Sequence, residues 1–169
     1  CVDIAALVAA TVLRMNPGAE VIPFESKAIE VRLNPRDSVM TNAEKLAKLP
    51  AGGTNCSAPL ELLNKRKAAG DLVIYVSDNE SWVDAPHYGR YGGSATRTMN
   101  AWADFKQRNP KARMVCIDIQ PYGTVQAKSR ADTLNIGGFS DQVFDVIAEF
   151  ARGALNADHW IGVIEEVII

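Results

Sequence analysis

"DLVIYVSD" (residues 71–78) sets five consecutive apolar residues, Leu72 to Val76, between two aspartates. A strand with one wet face alternates apolar and polar residues. An unbroken run fits a strand buried on both faces, as in a parallel sheet covered by helices. "ARMVCIDIQ" (112–120) reads as a second such strand, and "TLNIGG" (133–138) as a short last one. Helical patterns separate them. One runs over about 57–68 and is stopped by Gly70. Another covers about 94–109 and ends at "NP". A third spans 140–155, with Ser140 as its cap and Val143, Val146, Ile147 and Phe150 at helical spacing. Strands alternating with helices predict an α/β fold with a doubly wound, mainly parallel sheet.

The upstream third is read in the same way. "VDIAALVAATVLRM" (2–15) is apolar almost all round and predicts a helix buried on most of its circumference, ended by "NPG". "AEVIPFES" (19–26) reads as a strand. "AIEVRL" (28–33) alternates Ile29, Val31 and Leu33 with Glu30 and Arg32, the pattern of a half-buried, antiparallel edge strand joined by a tight hairpin. Residues 41–49 open with Thr41 and Asn42 and predict a short helix.

The totals fit one soluble domain over 1–169: 47% of residues are hydrophobic and 22% charged. No apolar run approaches the ~18 residues of a membrane span. A net charge of -2 does not advertise nucleic-acid binding by this domain. Three cysteines, Cys1, Cys56 and Cys116, show no metal-type spacing and fit a reducing compartment. No signal peptide is visible. The chain opens at Cys1 inside a helical pattern with no preceding cap, which reads as a piece of a longer protein.

In open α/β sheets, ligands bind beyond the carboxyl ends of the strands. That rim receives Asp78 from the first buried strand. By right-handed crossover it also receives the turn in "PAGGTNCSAPLELL" (50–63), which opens the helix leading into that strand. Four readings of the turn stand side by side. A phosphate cradle would need a lysine and a spacing that "AGGTNCS" lacks, although helix-start N–H groups can hold an anion. A Cys56 nucleophile would need His87 as its base. A hard cation such as Mg²⁺ would take the Thr54 hydroxyl and the Asp78 carboxylate, an incomplete set. The plainest reading is a capped helix, with Asn55 and Ser57 competing for the cap and Thr54 left over.

"AGGTNCSAPL", followed after a helix by a strand ending in "VSDNESW", resembles the von Willebrand factor A domain of the Ro autoantigen (TROVE) family of RNA-binding proteins. The helix at 1–14 and the hairpin at 19–33 sit where that family has its first helix and next two strands, so the resemblance covers nearly the whole chain. It implies a metal-ion-dependent adhesion site holding Mg²⁺ or another divalent cation. Such a site is built from an Asp-x-Ser-x-Ser loop, a threonine matched by Thr54 and an aspartate matched by Asp78. The first loop has no match here, and "IDIQ" (117–120) does not fit it. It should lie upstream on a central strand that this chain lacks. Without that strand, two buried strand edges would be unpaired, at about 1–3 kcal/mol per unsatisfied group. The resemblance further implies a cytoplasmic ribonucleoprotein. Its small non-coding RNA would be held mainly by a helical-repeat ring upstream, and an acidic group on a protein partner would complete the metal on this domain. No catalysis and no membrane are implied.

Beside the rim, Trp82, His87, Tyr88, Arg90 and Tyr91 form an aromatic, basic loop suited to stacking on bases or anchoring a partner, or to folding over its own rings. Glu80 could reach a metal through water. Trp102 reads as core, "FKQRNPKAR" (105–113) as a solvated helix end, and "HWIGVIEEVII" (159–169) as an apolar packing segment. Two rival functions remain, a Cys56/His87 hydrolase and a protein-adhesion A domain unrelated to RNA.

Overall fold

The computed structural model describes residues 2–50, 54–77, 97–119, 131–138, 140 and 142–153. In chain order these form α1 (Val2–Met15), α2 (Val39–Ala47), α3 (Ala58–Lys65), β1 (Leu72–Ser77), α4 (Arg97–Arg108), β2 (Arg113–Asp118), β3 (Thr133–Gly137) and α5 (Gln142–Arg152). The strands make a parallel sheet in the order β1-β2-β3.

The unbroken apolar runs have the reason expected of them: both sides of the sheet are covered. Tyr75, Met114 and Cys116 point to one side, where Leu60 of α3 and Met99, Trp102 and Phe105 of α4 cover them. Val115 and Ile117 point to the other, against Val8 of α1 and Val143, Ile147 and Phe150 of α5. Trp102 is core, as expected, stacked on Phe105 with ring centroids 5.7 Å apart.

Several boundaries differ from the sequence reading. The antiparallel pairing expected between 19–26 and 28–33 is present as a single bridge, Phe24 with Ala28, supported by Ile29 N–H donating to the Pro23 carbonyl at 2.7 Å. Neither segment forms a longer strand. Val21, Val31 and Leu33 instead pack around α1 and α2, so the alternation of 28–33 records contact with helices. Helix α2 starts earlier than expected because Ser38 caps it, its hydroxyl accepting from Thr41 N–H at 3.0 Å. Helix α1 is buried along one side through Ala6, Val8, Ala10 and Leu13, while Val2, Ile4 and Leu7 stay exposed. The expectation of burial around most of its circumference is therefore corrected.

The basic stretch 105–113 is also more than a solvated helix end. Lys106 Nζ donates to the Pro110 carbonyl at 2.6 Å and the Ala112 carbonyl at 2.8 Å, and lies 3.5 Å from Asp132. Arg113 donates to the Phe150 carbonyl and lies over the Phe150 ring, 5.3 Å from its centroid. These cations serve helix ends, where carbonyls lack intrahelical partners. The segment 157–169 lies outside the described residues. Among those described, no helix is long and apolar enough to cross a membrane.

Because Ile117 is fully buried in the central strand, Ile117→Ala should cost about 2–5 kcal/mol. Ile136→Ala, at a half-buried position of β3, should cost clearly less. Urea denaturation of the two variants checks the order.

Candidate functional site

The parallel strands end together. Ser77, Asp118 and Gly137 stand in register across the sheet. Ile119 N–H donates to the Ser77 carbonyl at 3.0 Å and Gly138 N–H to the Asp118 carbonyl at 2.8 Å. Gly138 has φ +81°, a left-handed conformation that glycine adopts without strain, and it turns the chain off the sheet there.

The turn before α3 is held against this rim by its own small polar residues. Asn55 is the hub. Its N–H donates to the Glu25 carbonyl at 2.7 Å and its Nδ2 to the Ser26 carbonyl at 3.0 Å. Its Oδ1 accepts from the Ser57 hydroxyl at 2.8 Å and from Ser57 N–H at 3.2 Å. Of the two residues competing for the cap, Asn55 therefore organises the helix start. Ser57 sits at the cap position and makes no side-chain cap bond of its own. Tyr75 fastens the turn to the sheet, its hydroxyl donating to the Cys56 carbonyl at 2.8 Å. Thr54, half-buried, immediately precedes this anchored trio. The start of α4 is tied to α3 by a two-pronged ion pair, Arg97 Nε to Glu61 Oε1 at 2.5 Å and Nη2 to Oε2 at 3.0 Å.

Of the site residues chosen from sequence, Thr54 is in view at the expected place. Asp78, Glu80, Trp82, His87, Tyr88, Arg90 and Tyr91 lie outside the described residues. Cys56 is wholly buried. It lies close enough to Cys116 for a charge on one to oppose a charge on the other. Burial first, and Cys56 second, push the Cys116 thiol up to about 12. A buried pair held in the thiol form is poorly suited to nucleophilic attack.

Sequence reading passed over Asp118. It is a buried carboxylate, 7% exposed, at the carboxyl end of β2 and directly beside Ser77. The signal was available: both fully apolar strand runs, 72–76 and 114–117, reach an aspartate within two residues of their ends. Among the described residues, no three His, Cys, Asp or Glu side chains gather as a metal cage. The oxygens at the rim, the Thr54 and Ser77 hydroxyls and the Asp118 carboxylate, are hard donors of the kind Mg²⁺ takes and soft metals do not.

A parallel sheet covered on both faces, with an anchored hydroxyl-rich turn at its carboxyl rim, is the architecture of a von Willebrand A-type domain. The chain belongs to the Ro60 vWA domain family, whose model matches residues 1–151. It is similar to the "RNA-binding protein RO60" of Deinococcus radiodurans, at 26% identity over 149 residues, which is 88% of this chain and 27% of that protein. The crystal structure of the Deinococcus radiodurans RO (RSR) protein matches its fold with a TM-score of 0.70, at 22% identity, over 91% of this chain and 29% of that one. This chain thus spans just over a quarter of the length of these two proteins.

Two outcomes are expected. Asn55→Ala, which strips partners from buried groups of the turn, should destabilise the domain by about 1–3 kcal/mol in chemical denaturation. In a Cys1→Ser background, a disulfide-exchange reagent at pH 8 should label neither Cys56 nor Cys116 in the native protein and both after unfolding. On the alkaline side, a thiol that is neutral when folded and ionised when unfolded costs stability as pH rises from about 9 towards 12.

Proposed function

We propose that this domain is a metal-supported binding module of a Ro-type protein that binds small non-coding RNA. The observation that carries the reading is the turn holding Thr54, fixed at the carboxyl rim through Asn55 and Tyr75. Thr54 and Asp78 match the second and third elements of a metal-ion-dependent adhesion site. When bound there, Mg²⁺ or another divalent cation would accept an acidic oxygen from a protein partner. The chain's own task is to hold the threonine hydroxyl and the carboxylates still, so that binding a partner costs little ordering.

RNA binding is assigned to the parent protein, on the printed name of the Deinococcus relative, and within it to a helical-repeat region upstream. A net charge of -2 on this chain agrees with that division. The buried, free thiols Cys56 and Cys116 fit a reducing, cytoplasmic setting. The module is non-catalytic in this reading, and the burial of Cys56 speaks against the hydrolase alternative. Glu80 and the aromatic residues Trp82, His87 and Tyr88, with Arg90, belong to the partner-contacting face.

Calorimetric titration with Mg²⁺ or Mn²⁺ tests the proposal, on this chain and on one extended upstream by about 40 residues, enough for a strand and its loops. Binding should be strong in the extended chain, and either Asp78→Ala or Thr54→Ala should abolish it. Absence of binding from both chains would leave the fold and remove the metal function.

A further inference from the structure

We infer that Asp118 is a further oxygen donor of the cation site, giving it a second carboxylate from the strand next to the one that leads into Asp78. The inference rests on the metal reading above.

Three observations carry it. First, Asp118 is placed by rigid structure: its backbone pairs with Ser77 on one side and Gly137 on the other, and its carbonyl accepts from Gly138 N–H. A donor on a paired strand is held more closely than one on a loop. Second, strand alternation puts it on the same side of the sheet as Cys116 and Tyr75. That is the side to which Tyr75 fastens the turn carrying Thr54, so the hydroxyl and the carboxylate belong to one corner. Third, Asp118 is buried, although burying a carboxylate costs several kcal/mol unless charge or hydrogen bonds compensate. The neighbouring strands carry uncharged Ser77 and Gly137 at the same level, so the fold does not demand an acid there.

The chemistry fits a divalent cation. Thr54 and Asp78 alone bring one negative charge. Asp118 brings a second, matching the cation's two positive charges, and Mg²⁺ sites commonly use one or two carboxylates with hydroxyls and waters.

Binding of Mn²⁺ to the full-length protein, followed by the loss of free-ion paramagnetic resonance signal, tests this. Asp118→Asn keeps the volume and removes the charge. It should weaken Mn²⁺ binding about 10–100-fold. It should also shrink the Mn²⁺-induced rise in Tm, while Tm in chelator stays level or increases. Asp118→Ser, which copies Ser77 next door, serves if the Asn variant does not fold. Unchanged Mn²⁺ affinity in the Asp118 variants, alongside loss in Asp78→Ala and Thr54→Ala, would overturn this inference and leave the metal reading standing. A lower Tm in chelator with unchanged affinity would make Asp118 structural and overturn it too. If the unsubstituted protein does not bind Mn²⁺, both fall.

Discussion

Strand β2 has no wet side, and most of the structure follows from that. Met114 and Cys116 need an apolar cover on one face, Val115 and Ile117 on the other. One chain meets both needs by sending helices to both sides between parallel strands. Parallel strands all end at the same edge of the sheet. With both faces consumed by packing, polar side chains are admitted at the strand ends. The rim that holds Ser77, Asp118 and the Thr54 turn is thus where this core leaves room for chemistry.

The turn at that rim is expensive to leave half-satisfied. A buried hydrogen bond contributes only about 0.5–1.5 kcal/mol net, whereas an orphaned buried group costs about 1–3 kcal/mol. Asn55 spends its amide nitrogen, its side-chain nitrogen and its side-chain oxygen on the 25–26 segment and on Ser57. Tyr75 meets the Cys56 carbonyl from below. Small polar residues are required because each must bond within one or two residues of itself inside a buried turn. The question raised by a run of threonine, asparagine, cysteine and serine has a divided answer: Asn55, Cys56 and Ser57 build the turn, and Thr54 stands at its edge.

The sheet was legible in the sequence because burial on both faces writes itself as an unbroken apolar run, at 72–76 and again at 114–117. Residues 28–33 misled because alternation records one buried side without saying what covers it. Val31 and Leu33 are buried against helices, where a pairing strand was expected. The start of α2 was missed by a few residues because Ser38, Thr41 and Asn42 are all acceptable caps by type, and only geometry distinguishes them. Asp118 was passed over for a different reason. "IDIQ" was compared with a loop pattern it does not match, and its position at a strand terminus was not weighed.

Charge is distributed along the sheet axis, and this bears on what the domain contacts. At the amino-terminal end of β2, Lys106 and Arg113 are turned inward onto carbonyls left open by helix ends and turns, with Asp132 nearby. Arg108 is likewise engaged with Asn64 and the Asp104 carbonyl. A basic stretch that looks available for phosphate in the sequence is largely occupied within the fold, and its cations would have to give up internal bonds to hold a polyanion. The carboxyl end carries the opposite sign, with Asp118 and, in sequence, Asp78 at the strand ends. Such a rim repels bare phosphate and attracts cations. For an acidic partner, the cation is what turns this repulsive rim into an attractive one, so metal binding and partner binding here are physically one event.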